Sequence, residues 1–572
     1  MKTFWTTFYS YKGGVGRSLA LANVAALLVQ KGHRVVLLDF DLEAPGLDTF
    51  EEFKDAKEKP GIIEYVAEFQ RRQIAPEIKP FVHAVKLPDH LRGKLWIMPA
   101  GRKDKAYNHL LARTRWAELF NDDGLGAPFI ENWKLSIEQE FRPDYVLIDS
   151  RTGLTEVGGV CTTAFPDLVV MLFGLNEQNV EGTATVAQHI READLDRPPR
   201  LHFVATPVPN SISDNTGLLK DRLEAAEKTL GIKIRRESEA VPSLENSLSG
   251  NTIRYWPPAA LTERLFVLDN LFPEPEMVHD HSNLCKRITD FNSNGFDYLY
   301  AQSEKAIKAD DVELAGKLAN ALMSEFSHRP EAVFLTSRLA RIDNRVGDPV
   351  QLAERAFALD PIYQPPFEFL YAHYSRAKQF DHIKTMCEKL LGLDQQITRP
   401  RKIHILVLLG QLQMFLHKYQ QAAKISEEIL GFFTDSPELP PASALVYEFN
   451  AAESLRRAGG NVPHSRWKKI IKIFESVPAL DSSAMVSANK QEAMYIPYAI
   501  TGDLVKARDC LRKAQRIAEA ANDLEPMFSV RDYTQVSRAE FRLINDDLQA
   551  ALERGELWDG TKLSAAQGES GL

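Results

Sequence analysis

One stretch constrains this chain more than any other: Phe8-Tyr9-Ser10-Tyr11-Lys12-Gly13-Gly14-Val15-Gly16-Arg17-Ser18. It lies between an apolar run, Thr3 to Tyr11, and a helix-patterned run, Leu19 to Gln30. A strand that feeds a glycine-rich turn and then opens a helix aims backbone N–H groups and the positive end of the helix dipole at one spot. That spot suits a polyphosphate. The glycines let the backbone curl close to phosphate with no Cβ in the way. Lys12 and Arg17 place two cations beside the turn, and Ser18 supplies a hydroxyl where such a loop holds Mg²⁺.

The residues that follow read as a β-α-β unit. Leu19, Ala20, Val24, Leu27 and Leu28 recur at helical spacing, and Gly32 is placed to end that helix. Arg34 to Phe40 reads as a fully buried parallel strand that carries Asp39 and Asp41 at its C-terminal end. Crossovers of this kind are right-handed and gather functional groups at strand ends, so both carboxylates are expected beside the loop. Leu95 to Gly101 reads as a further strand and turn. Asp144 to Ile148 delivers Asp149, with Gly153 four residues on, and Asp167 to Phe173 and Leu201 to Pro207 read as two more central strands. Between them, Lys103, Lys105, Arg113 and Arg115 are expected to form a solvated basic face.

Lys12-Gly13-Gly14-Val15-Gly16-Arg17-Ser18 resembles the deviant Walker A loop of the ParA/MinD ATPases, the SIMIBI class of P-loop proteins. An ordinary P-loop reads G-x-x-x-x-G-K-[ST]; the Lys-Gly-Gly opening is the mark of this family, and Arg17 stands where the lysine should be. The resemblance implies that Lys12 reaches phosphate across an ATP-sandwiched dimer. Asp39 to Leu47 is similar to the family's switch I, which implies that Asp41 orients the attacking water and that Asp39 assists the Mg²⁺ shell. Asp144 to Gly153 resembles the Walker B and switch II segment, which implies that Asp149 holds Mg²⁺ through water and that the Gly153 N–H senses the γ-phosphate. The implied catalytic residues are Lys12, Asp41 and Arg17, and the implied metal residues are Ser18, Asp39 and Asp149. Nucleotide contacts are implied at Gly13, Gly14, Val15, Gly16, Arg17, Ser18, Leu19, Gly153 and Pro207. Thr206, Pro207 and Asn210 follow a late strand, where the family contacts adenine. Ile253 to Pro258 resembles the family's last strand and turn, with Arg254 and Trp256 replacing a proline and an acid. A guanidinium binds phosphate bidentately but is planar and longer than an ammonium, so nucleotide binding is expected more firmly than turnover.

Beyond about Phe272 the pattern changes. Phe272-Pro273-Glu274-Pro275-Glu276 reads as a linker, and His279-Asp280-His281 as a solvated polar loop without the further ligands that a metal would need. From about Asn294 amphipathic runs alternate with breaks at Gly347-Asp348-Pro349, Gln379-Phe380-Asp381, Lys418-Tyr419-Gln420, Gly460-Asn461 and Gly502-Asp503. Their spacing of roughly 33 to 42 residues, and helices ending in a hydrophobic heel and Asp, resemble degenerate tetratricopeptide repeats. Stacked helical pairs form a solenoid whose concave face binds peptides or protein surfaces. Arg466-Trp467-Lys468-Lys469 is expected to pair a packed Trp with an exposed basic face. The tail is polar and lacks a basic amphipathic helix for lying on a membrane.

The expected fold class is therefore α/β, a mostly parallel P-loop NTPase sheet over residues 1–271, then a linker at 272–296, an all-α tetratricopeptide-like solenoid at 297–556 and a disordered tail at 557–572. A net charge of −9 argues against nucleic acid as a partner. Four cysteines without C-x-x-C spacing, no room for a signal peptide ahead of the first strand and no membrane-length apolar run point to the cytoplasm. The expected function is an ATP–Mg²⁺ switch that dimerises around nucleotide and regulates protein partners through the helical array. Two alternatives stand beside it: a non-hydrolysing nucleotide sensor or scaffold in signalling or antiphage defence, and a DNA-partitioning ATPase.

Overall fold

The computed structural model describes residues 2–563 apart from 89–90, 115, 117–125, 194, 196, 210–216, 235–246, 270–271, 434–440, 477–483 and 522–526. The chain divides into two compact units, Met1–Ser327 and His328–Leu572. Asn210, Arg115 and the tail from residue 564 lie outside the described residues.

The first unit is built on an eight-stranded sheet: β1 (Phe4–Tyr9), β2 (Arg34–Asp39), β3 (His83–Ala84), β4 (Lys94–Met98), β5 (Tyr145–Asp149), β6 (Leu168–Phe173), β7 (Arg200–Val208) and β8 (Thr252–Arg254). Its order is β3-β4-β2-β5-β1-β6-β7-β8. Every pairing is parallel except that of β3 with β4. Successive side chains on a strand point to opposite faces, and both faces are covered. Val35 and Leu37 of β2 join the core under helix α1 (Arg17–Gln30). Val36 and Leu38 join the opposite core with helices Ile62–Arg72 and Gly126–Phe141. This is why the central strands are apolar throughout rather than alternating. Gly32 ends α1 in the left-handed region at φ 86°.

Residues 272–296, expected as a linker, are mostly helix. Pro275–Phe291 carries Met277, Leu284, Ile288 and Phe291 at helical spacing, and these enter the same core as α1. Of the two prolines that suggested a linker, Pro275 opens this helix, taking its first turn, where a missing N–H costs nothing. His281 is therefore buried rather than solvated, with Nδ1 2.8 Å from the Met277 carbonyl. Asp280 accepts from the Arg254 backbone N–H at 3.0 Å and from its guanidinium at 2.9 Å and 2.6 Å. No group of three or more His, Cys, Asp or Glu side chains among the described residues is arranged to hold a metal ion.

The second unit is helical from Pro330–Ala340 to Arg538–Glu553, each helix packed on its neighbour in sequence. This is the connectivity of a stacked helical array. All five sequence breaks fall at helix–helix turns. Four of these turns share one geometry. Lys378, His417, Gly459 and Gly502 adopt positive φ. The next N–H then returns to the carbonyl five residues back: Gln379 to Tyr374 at 2.9 Å, Lys418 to Gln413 at 2.8 Å, Gly460 to Leu455 at 2.9 Å and Asp503 to Tyr498 at 2.9 Å. These are Schellman closures, which satisfy carbonyls that a helix end leaves free. A hairpin, Met527–Ser529 with Thr534–Val536, interrupts the helices and packs on Ala484–Ile500. Trp467 is buried, while its basic neighbours Arg466 and Lys469 both pair with Glu448, so this face is less free than its sequence suggests. No described helix is long and apolar enough to cross a membrane.

Candidate functional site

The glycine-rich loop leaves the C-terminal end of β1 and enters α1. Gly14 and Gly16 hold φ of 80° and 79°, in the region that disfavours any residue with a Cβ. A Cβ built on Gly13, Gly14 or Gly16 would meet nothing within 4 Å, so the space beside the loop is open. The loop is fixed from neighbouring elements. Thr206 of β7 donates from its hydroxyl to the Val15 carbonyl at 3.2 Å, and Tyr9 donates to the Gly153 carbonyl at 3.1 Å. Gly153, at φ 77°, thus lies in the turn after β5 beside the loop.

Below the loop, β2 and β5 run in register so that Asp39 is the direct partner of Asp149, and both are fully buried. Asp39 accepts the N–H of Asp41 and of Leu47, both at 3.3 Å. Arg17 turns down into this cluster. Its Nε donates to Asp149, and Nη2 donates to Asp41 at 2.7 Å. With 6% of its side chain exposed, Arg17 is the internal counter-cation of the carboxylates. Burial works against its charge, but Asp149 and Asp41 outweigh burial and raise its pKa. Burial, then Asp149 and Asp41, hold the Asp39 carboxyl well above the usual carboxylate range. Burial raises Asp149 too, opposed by Arg17 and by the neighbouring Ser18 hydroxyl. Arg17 Nη1 and Asp149 Oδ2 are buried without a hydrogen-bond partner among the described residues.

The structure therefore brings Gly13, Gly14, Val15, Gly16, Arg17, Ser18, Asp39, Asp41, Asp149 and Gly153 to one end of the sheet. Leu19 follows in α1 with its carbonyl accepting from Asn23 at 3.0 Å. Lys12 is directed elsewhere: its Nζ donates to Gln178 on helix Glu177–Glu192 rather than entering the acid cluster. Pro207 is exposed near the end of β7, one residue from the Thr206 that holds the loop. Arg151 pairs with Glu43.

Several positioning residues carry no motif. Lys103 donates to the buried Asp48 at 2.7 Å and to the Pro45 carbonyl at 3.3 Å, and Tyr107 donates to the Leu42 carbonyl at 2.6 Å. Together they fasten the segment after Asp41 on its outer side. Lys103 is thus a tether rather than part of a solvated face. Gly182 faces the Tyr11 ring so closely that a Cβ would stand 2.2 Å from it, which sets the approach of the helix that also offers Gln178. Only a spatial partner makes these residues recognisable, since each is an ordinary polar or small residue in sequence.

A family model described as the CobQ/CobB/MinD/ParA nucleotide binding domain matches residues 6–358, more than half of the chain. No curated protein matches it. Solved structures similar to it include the cell division ATPase MinD of Pyrococcus furiosus, at 16% identity over 50% of this chain and 99% of that one with a TM-score of 0.36. The MinC:MinD cell division complex of Aquifex aeolicus is 17% identical over 50% and 96%, with a TM-score of 0.33. The pNOB8 ParA bound to nonspecific DNA is 15% identical over 50% and 99%, with a TM-score of 0.34.

Proposed function

Because the chain belongs to the CobQ/CobB/MinD/ParA nucleotide-binding family, we propose that it is an ATP-driven switch whose nucleotide site is the loop Lys12–Ser18 with Asp39, Asp41 and Asp149. One observation carries this reading: an arginine of the phosphate loop is buried against the two carboxylates expected to serve metal and water. The donor set suits Mg²⁺, which takes few protein oxygens and completes its shell with phosphate and water. Mg²⁺ would be held from the side of Ser18, Asp39 and Asp149, and would neutralise charge on the phosphate oxygens. The loop N–H groups and Arg17 bind the phosphates, and Asp41, released from Arg17, orients the attacking water.

In this reading Arg17 works as a latch. In the structure its charge is spent on Asp149 and Asp41; with nucleotide present the phosphates compete for it, and the carboxylates turn to metal and water. Lys12, half-buried on the loop and bonded to Gln178, serves a second protomer once released. The helical array, tetratricopeptide-like in connectivity, presents a surface to a protein partner in a nucleotide-dependent manner. The test is phosphate release together with size-exclusion chromatography in ATP. Wild type should turn over slowly, and Asp41→Ala should accumulate as a dimer; identical size and turnover for wild type and Lys12→Ala would count against the switch. The non-hydrolysing sensor is the second reading, favoured by the double hold on Arg17, and absence of phosphate release alongside intact ATP binding would select it.

A further inference from the structure

The second unit contains a cavity of about 880 Å³ that the nucleotide switch does not use. Its walls come from helices Gln364–Arg376, Phe380–Leu391, Arg399–Phe415, Pro441–Arg457 and Ala484–Ile500 and from the hairpin. The volume is within the ~300–1,000 Å³ of small-ligand sites, and such sites combine apolar walls with a few placed polar groups. Phe380, Leu412, Phe415, Phe449, Met494 and Phe528 supply the apolar part. The charged part is of one sign: Arg376, Lys378 and Lys490 line the cavity, and no Asp or Glu does among the described residues. In a chain where acids outnumber bases, 78 to 69, a wall with cations alone is a departure from its average surface.

The walls are held in place independently of any occupant. Buried Glu492 accepts from the Val530 N–H at 2.9 Å and the Ser529 hydroxyl at 3.2 Å. Arg457 donates to the Val530 and Arg531 carbonyls, both at 2.9 Å, and Tyr533 donates to Asn450 at 3.1 Å. The hairpin is thereby clamped from two helices, which gives the cavity the preorganisation that ligand sites need. Lys490 lies 5.2 Å from the centre of the Phe474 ring and forms no ion pair among the described residues. Burial lowers its pKa.

We infer that this cavity binds a small amphipathic anion, an apolar body of up to drug-like size ending in one acidic group that meets Lys490 with Lys378 or Arg376. The apolar body would displace water from the aromatic wall, and the acidic group would give a part-buried ammonium the partner it lacks. Volume favours a small molecule over a folded protein surface, and charge favours an acid over a neutral lipid.

The test uses the full chain and two dyes of similar shape: 8-anilinonaphthalene-1-sulfonate, which carries one anionic group, and the uncharged N-phenyl-1-naphthylamine. The expected result is one saturable site for the sulfonate dye, at least tenfold weaker binding of the neutral dye, and displacement by dodecanoate but not by ATP with Mg²⁺. Lys490→Gln with Lys378→Gln should weaken the sulfonate dye about tenfold while far-ultraviolet dichroism and melting stay unchanged. The two-dye comparison stands without any variant should that one fail to fold. Unsaturable binding, equal binding of both dyes, displacement by ATP, or displacement by an acidic peptide but not by dodecanoate would each overturn the inference. Failure here leaves the nucleotide site untouched, because that site is read by ATP alone.

Discussion

Asp39 and Asp149 are register partners on adjacent parallel strands, both fully buried, and Asp149 pairs with Arg17 of the glycine loop. Two carboxylates this deep cannot both be ionised without a compensating charge. The residue that departs from the family's lysine is therefore also the one that makes the ligand-free site tenable.

Removing that charge should be costly. Arg17→Ala leaves Asp39, Asp41 and Asp149 facing one another, and breaking a buried pair in this way costs on the order of 3–5 kcal/mol. Chemical denaturation at pH 8 should show this loss, and lowering the pH to 5 should recover much of it. Arg17→Lys keeps the charge on a single point and gives up the double contact with Asp149 and Asp41. It should release phosphate faster than wild type in a steady-state assay.

Nucleotide binding should be linked to proton release. Asp39 is raised well above its ordinary range by burial, so the ligand-free protein keeps a proton that the unfolded chain loses near pH ~3.9. The stability contributed by this group is complete below that value and is lost as pH rises through the raised folded pKa. A metal-bearing triphosphate needs the carboxylate ionised, so affinity for ATP–Mg²⁺ should rise with pH over the same range. Calorimetry in buffers of different ionisation enthalpy should register protons leaving on binding.

The outer tether of the Asp41 segment is open to a separate test. Tyr107→Phe removes the 2.6 Å bond to the Leu42 carbonyl at a cost of about 1 kcal/mol. Lys103→Met leaves Asp48, only 3% exposed, without its cation. Both variants should bind ATP as wild type does and hydrolyse it more slowly, because they loosen the residue that orients water rather than those that grip phosphate. A larger loss in binding than in turnover would argue against this division of roles.

The helical unit should carry a pH dependence of its own. Burial pushes Glu492 up to about 7, against ~4.3 in an unfolded chain. Its contribution to stability is present in full below the lower value and fades as pH rises through the upper one, by roughly 3–4 kcal/mol by pH 8. Glu492→Gln keeps an oxygen to accept from the Val530 N–H, turns its amide N–H toward the Ser529 hydroxyl, and has no charge to bury. Its melting temperature should exceed that of wild type at pH 8 and lose most of the variation between pH 5 and 8.

The phosphate loop, the strand that delivers Asp39 and the strand that delivers Asp149 were legible because each is a local pattern: apolar run, acid, glycine. Two of the helix–helix turns were legible for a similar reason, since Gly502 adopts the left-handed closure itself and Gly460 directly follows Gly459, which does. Lys378 and His417 make the same left-handed closure without glycine, so the breaks at Gln379 and Lys418 were legible but their geometry was not. The partner of Arg17 was hidden because Asp149 lies 132 residues away and meets it only once β1, β2 and β5 are assembled. Lys103 and Gly182 were hidden likewise; one read as surface charge and the other as a helix residue until Asp48 and Tyr11 stood opposite them. Pro275 misled in the other direction, because proline opens a helix as readily as it marks a linker.

The central claim is that the loop from Lys12 to Ser18, with the carboxylates behind it, receives ATP and Mg²⁺. Isothermal titration of the full chain with ATP in the presence and absence of Mg²⁺ tests it most directly. The account predicts saturable binding that Mg²⁺ tightens and that Gly16→Val abolishes without unfolding the protein; a folded wild-type chain that takes up no ATP in either condition would contradict it.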